Sequence, residues 1–240
     1  MAIKLDPRKT ALIIQDLQND VIMPNGAFTR DDPAPAEHAK KQNVVANVKA
    51  IASAARAAGV PVIHVWYVVE PGAPGLKLNA PLFQAISATK GVVRGTHGAA
   101  PVKGLEAKKG DHVVEKSRMN AFHGTNLDNL LRGFGTENVV ITGAWTNFSI
   151  EHTARHAADA GYNAVVVTDG TSTIDDEWQN AALNYALTNI ATMVPTSDVV
   201  AALSKGAPRA AAKPTAKAAA KPAAAKPAAK APARRRPAAK

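Results

Sequence analysis

The chain contains no cysteine. That excludes a disulfide framework, a thiolate metal site and a thiol nucleophile. Aromatic residues make up only 5% of it, so each Trp, Tyr and Phe stands out as a possible core or pocket residue. No run of about 18 apolar residues occurs, which gives no membrane-spanning helix. The start, MAIKLDPRKT, has no long apolar stretch behind a basic end. No secretory leader is expected from it, and the cytoplasm is the expected location. Acidic residues are missing altogether after Asp198.

That last absence explains the net charge of +10. Eleven basic groups lie between Lys205 and Lys240, while the remainder carries 18 basic against 19 acidic residues. The chain therefore divides into a near-neutral domain, 1–204, and a basic tail, 205–240, of Ala, Lys, Pro and Arg. The tail has too little apolar surface to offset the entropy of ordering and is expected to be disordered. Its prolines interrupt the helices that Ala and Lys favour. Such a tail is expected to bind nucleic acid or polyphosphate non-specifically, by counterion release. Without aromatics it has no means of stacking on bases. A solubilising role with no partner is the alternative.

The domain has apolar content enough for a sizeable core, and strand and helix signals alternate along it. Thr10–Asp16, Val60–Tyr67, His112–Lys116, Asn138–Thr142, Asn163–Thr168 and Ala191–Val194 read as buried strands. Asn43–Ala58, Asn126–Arg132, Ser149–Ala160 and Asp175–Asn189 read as helices, the first closing on Gly59 and the third on Gly161. The pattern predicts an α/β fold with a mainly parallel sheet covered on both faces. Ligands in such folds bind outside the carboxyl ends of the strands.

Three polar residues fall there: Asp16 at the end of the first strand, Lys116 at the end of the third, and Ser149 after the fourth, opening a helix. A carboxylate beside an ammonium stays ionised and can take a proton. A hydroxyl near a helix N-terminus sits where negative charge is favoured. Together they form a base, an electrostatic partner and a nucleophile. Singly, each has an ordinary reading. Asp16 can start a turn, Lys116 can be a solvated charge, and Ser149 can be a helix N-cap.

The stretches LIIQDLQND (12–20), VVEKSRMNAFHGTNLDNLL (113–131) and VVITGAWTNFSIEHTARHAADAGYNAVVVTDG (139–170) resemble the isochorismatase-like, or cysteine hydrolase, family in order and spacing, from about residue 8 to 204. The resemblance implies a three-layer αβα, Rossmann-like fold with a six-stranded parallel sheet, and homo-oligomers. It implies an Asp–Lys–Cys triad and hydrolysis of small amides or ureido compounds at a C–N bond or, in one branch, of a vinyl ether. Carried over by position, Asp16 and Lys116 match the family's aspartate and lysine, and Ser149 stands where the cysteine does. The bond before Trp145 is expected to be cis, and the backbone N–H groups of Trp145 and Ser149 are expected to form an oxyanion hole.

Ser149 is the main departure, because a hydroxyl needs a better base than a thiol does. It is a nucleophile activated by Asp16, a spectator while water attacks, or the mark of an inactive hydrolase fold tethered to polyanions by its tail. No cofactor is implied. His97, His112 and His123 are scattered without metal-ligand spacing, so no metal is expected. Phe28, Trp66, Asn120 and Phe122 are candidates for lining the substrate pocket, as are Tyr67 and Arg94. His152 shares a helical face with Ser149 and is a candidate second base.

Overall fold

The computed structural model describes residues 3–206. The basic tail, from residue 207 on, lies outside the described residues, and so does the expectation that it binds polyanions.

Six strands form one sheet in which every pair is parallel. They are β1 (Thr10–Gln15), β2 (Val62–Tyr67), β3 (His112–Lys116), β4 (Asn138–Ala144), β5 (Asn163–Ser172) and β6 (Thr192–Val194). Their spatial order is β3-β2-β1-β4-β5-β6. The order reverses direction between β1 and β4, and a crevice forms at such a switch point beyond the strands' carboxyl ends. All six residues of β1 are buried, as expected of a central strand covered on both faces.

The period-2 alternation of the strands feeds two apolar layers. Leu12 and Ile14 face one layer, while Ala11 and Ile13 face the other. The first layer is closed by α3 (Val44–Ala57) and α8 (Thr196–Gly206). Val44, Val48, Ile51, Ala52 and Ala55 form a stripe at helical spacing along α3. Burying a side chain such as Ile51 contributes about 1.5–3 kcal/mol. The second layer is closed by α5 (Leu127–Gly133) and α6 (Glu151–Asp159), through Leu127, Leu131, Ala154 and Ala157. The result is the three-layer αβα architecture with a six-stranded parallel sheet that the sequence implied.

Four further helices were not legible. Two are short or medium-length pieces after β1, α1 (Asn19–Ile22) and α2 (Ala34–Lys41). The others are α4 (Pro81–Thr89), between β2 and β3, and α8. Two predicted helices are also less regular than expected. The one after β4 begins earlier, with a π-helical turn at Thr146–Ile150 ahead of α6. The one after β5 divides into α7 (Asp176–Ala181) and a π-helical turn, Ala182–Ala186. No helix among the described residues is long and apolar enough to cross a membrane.

Candidate active site

Asp16 is the first residue beyond β1. Its backbone N–H still bonds to Val65 O on β2 at 2.8 Å, but its φ is +55°. This left-handed conformation is open to Asp at modest cost. It ends the strand and leaves the carboxylate at the sheet's edge, 3% exposed.

Lys116 closes β3, two strands away. Its stem crosses the end of β2, where the ammonium lies 4.6 Å from the centre of the Tyr67 ring. A long aliphatic side chain suits this span because its stem packs apolar while its head reaches a polar partner. The head donates to Asp16 Oδ2 at 2.8 Å, to Arg118 O at 3.0 Å and to Ser149 Oγ at 3.4 Å. All three ammonium protons therefore have an acceptor.

Ser149 sits in the π-helical turn that follows β4, one turn past the cis Ala144–Trp145 bond. Gly143 makes the approach of β4 to β1 possible. With φ +130°, a Cβ there would lie 1.9 Å from Gln15 O, so only glycine fits. Below the turn, the Thr146 hydroxyl donates to Gln179 Oε1 at 2.6 Å, and Gln179 Nε2 donates to Thr171 Oγ1 at 3.1 Å. This buried network fixes the turn that carries Ser149. The Ser149 hydroxyl itself donates to Met119 Sδ at 3.6 Å.

The Asp16–Lys116 pair is fully enclosed, and enclosure disfavours charge on both partners. Burial pushes the Asp16 carboxyl up, against the lowering effect of the Lys116 charge. Burial likewise pushes Lys116 down, against the raising effect of Asp16. Desolvation outweighs the neighbouring ammonium, so Asp16 is a stronger base than an ordinary carboxylate. Its second oxygen, Oδ1, is buried without a hydrogen-bond partner among the described residues.

Asp16 and Ser149 open onto a cavity of about 210 Å³. Its walls include Phe28, Tyr67, Trp145 and Phe148, with Leu82 and Ile86 of α4. Trp145 and Phe148 pack with ring centroids 6.0 Å apart.

The structure thus brings Asp16, Lys116 and Ser149 together and places Phe28, Tyr67 and Trp145 around them. It does not bring Trp66, Asn120 or Phe122 to the cavity. Trp66 alternates with Tyr67 along β2 and shares a strand face with His64, ring centroids 6.3 Å apart. Phe122 is core, its ring stacked 4.5 Å from His156 and 6.2 Å from Tyr162. Asn120 holds a local turn, accepting from Phe122 N at 2.9 Å. Met119 takes the place in the cavity wall instead. Arg94 bonds to Glu70 and Glu115 at the surface. His152 is exposed, and its Nδ1 contacts Phe148 O at 2.8 Å. Among the described residues no cluster of three or more His, Asp or Glu side chains is arranged to hold a metal ion.

The residues that sequence reasoning missed are Phe148, Met119 and α4. Pro81 at the first turn, followed by Leu82 and Ile86 four apart, was the available signal for α4.

Known proteins share this arrangement of elements. The isochorismatase domain profile matches residues 10–198. The ureidoacrylate amidohydrolase RutB of Rhizobium rhizogenes is 32% identical over 223 residues, covering 86% of this chain and 88% of that protein. Among solved structures, an isochorismatase family protein from Desulfovibrio vulgaris is 31% identical with a TM-score of 0.70, covering 82% of this chain and 98% of that one. A second, from Burkholderia thailandensis, is 30% identical with a TM-score of 0.67, covering 85% and 99%. The match spans all six strands and both helical layers, and on that footing the chain belongs to the isochorismatase family of hydrolases.

Proposed function

We propose that this hydrolase cleaves the C–N bond of a small amide or ureido compound, with Asp16 as the proton-transfer group, Lys116 as its electrostatic partner and Ser149 beside the reacting carbonyl. The observation that carries this reading is the state of Asp16. One carboxylate oxygen is held by Lys116 and the other is unpartnered, on a residue that lines the cavity. A buried carboxylate with a raised pKa is suited to taking a proton from an attacking group and returning it to a leaving nitrogen. The named activity of the Rhizobium relative, an amidohydrolase acting on ureidoacrylate, supports the bond class.

In the triad form of this reading, Ser149 Oγ attacks the carbonyl and its proton passes to Asp16. The tetrahedral oxyanion is met by the N–H groups of Trp145 and Ser149. Asp16 then protonates the departing amine, leaving an acyl-serine that water hydrolyses. A second reading is favoured by one contact. The Ser149 hydroxyl accepts from Lys116 and has Met119 Sδ as an acceptor at 3.6 Å that competes with Asp16 for its proton. In that reading Asp16 activates a water directly, and Ser149 only helps to hold the carbonyl.

Turnover of a panel of small amides, ureido compounds and isochorismate tests both. The full-length protein is expected to hydrolyse a C–N substrate, and Asp16→Asn to abolish this. Loss of turnover in Ser149→Ala identifies the triad form, and its retention the water form. Turnover of isochorismate alone, or activity only in Ser149→Cys, overturns the proposal.

A further inference from the structure

The lining of the cavity says more about the substrate than the reacting groups do. Its polar side-chain atoms are nearly all turned away or tied up. The Trp145 indole N–H donates to Val21 O at 3.2 Å. The Tyr67 hydroxyl donates to Ser117 O at 2.8 Å, and the Thr89 hydroxyl to Ile86 O at 3.0 Å. What these residues present to the cavity is ring face and methyl. Asp16 is the sole charged residue among those that line it.

No cation on the flanking segments lines the cavity, and Lys77 and Lys90 lie exposed at the surface. The Arg118 guanidinium stacks on Phe83 at 4.2 Å and donates to Lys77 O at 3.1 Å. Arg30 lies 3.5 Å from Asp31. The Lys116 ammonium already has its three acceptors. A substrate carboxylate held against this lining would lose part of its hydration, meet no cation in the walls and lie close to the Asp16 carboxylate. Burying an unpaired charge is among the costliest events in a protein interior.

We propose that the site takes neutral amides or ureides with a compact apolar body, of aromatic or branched aliphatic type, and rejects those bearing a carboxylate. This rests on the C–N hydrolysis reading and narrows it, since a ureidoacrylate carries the very group the cavity excludes. The size agrees. An apolar cavity of about 150 Å³ accepts benzene, so 210 Å³ takes a ring of that size with an amide attached. Phe28, Tyr67, Trp145 and Phe148 supply the stacking walls.

Two matched pairs test it on the full-length protein. Isobutylurea and N-carbamoylglycine differ by an isopropyl group in place of a carboxylate, as do 4-methylpentanamide and succinamate. The apolar member of each pair is expected to have kcat/KM higher by about 100-fold or more. Equal or reversed preference overturns the inference while leaving C–N hydrolysis standing. Ala85→Arg places a guanidinium on an exposed, cavity-lining position of α4. It is expected to raise kcat/KM for N-carbamoylglycine about tenfold and to lower it for isobutylurea. If neither pair is turned over, the hydrolysis reading fails for these compounds and titration calorimetry decides the specificity. Binding of isobutylurea in preference to N-carbamoylglycine supports it, and no binding of isobutylurea, or the reverse order, overturns it.

Discussion

Two buried carboxylates sit at opposite ends of the same physical problem. Asp111, just before β3, and Asp16, just after β1, each face a basic partner with the side chain almost wholly enclosed. Asp111 receives Arg56 Nε at 3.0 Å and Nη2 at 2.6 Å, Lys108 N at 2.8 Å, and His64 Nε2 at 3.1 Å. Burial pushes its pKa up, but the two-pronged Arg56 contact and the N–H donors overcome this and hold it at about 2. Asp16 has one ammonium on one oxygen and nothing on the other, and burial prevails. The charge of the partner is therefore not what separates the two pairs. The depth of the carboxylate and the number of donors on it are. A saturated carboxylate is locked in its anionic form, whereas a half-satisfied one can still exchange a proton.

Removing each charge should break the comparison in opposite ways. Asp16→Asn is expected to lower kcat/KM by about 100- to 10,000-fold, while its thermal stability falls less than that of Asp111→Asn. The converse variant, Asp111→Asn, leaves Arg56 and the Lys108 N–H with a weaker acceptor. It is expected to lose at least about 2 kcal/mol in chemical denaturation and to keep kcat/KM within a few-fold. An Asp111→Asn enzyme that stays stable but is inactive would erase the distinction.

The pH dependence sharpens it. Asp111 has a depressed folded pKa, so its contribution to stability is full above the ordinary value of 3.8 and is lost as pH falls through about 2. Denaturation midpoints across that window should decline for the parent and stay flatter for Asp111→Asn. In the proposed mechanism turnover depends on an ionised Asp16, whose pKa is raised. The acid limb of kcat/KM is therefore expected above the usual carboxylate range, where Asp111 is still fully charged. An acid limb at or below 3.8 would return Asp16 to the class of Asp111. Because Lys116 is lowered by burial, an alkaline limb below 10.5 is expected as well.

The sheet and the three polar residues at its edge were readable because both rest on patterns that the backbone imposes. Continuous apolar runs marked the strands, and their final residues marked the site, with Asp16, Lys116 and Ser149 meeting as their strand-end positions suggested. The pocket was harder. Trp66 and Tyr67 are equivalent as aromatics and differ only in which face of β2 they take, and it is Tyr67 that reaches the cavity. Phe122 left the expected pocket because it found His156 and Tyr162 to stack on, a contact between segments that no local spacing reveals, and Met119 lines the cavity in its stead. The stretch that contributes α4 carries weak periodicity and lies in the long connection between β2 and β3, so one wall of the cavity stayed hidden. The satisfied state of Asp111 was equally invisible, since it depends on Arg56 and His64 arriving from α3 and β2.

The strand order has a consequence for how this protein is made. Lys116 and Asp16 are 100 residues apart and Lys116 and Ser149 are 33 apart, and the central strand β1 is synthesised before the other five strands of the sheet. It must wait for β2, and then for β4, before both of its edges are paired. Parallel pairings of such separation form slowly. Until β4 docks against β1, the carboxylate has no hydroxyl beside it, so the recovery of activity during refolding reports the closing of the sheet itself.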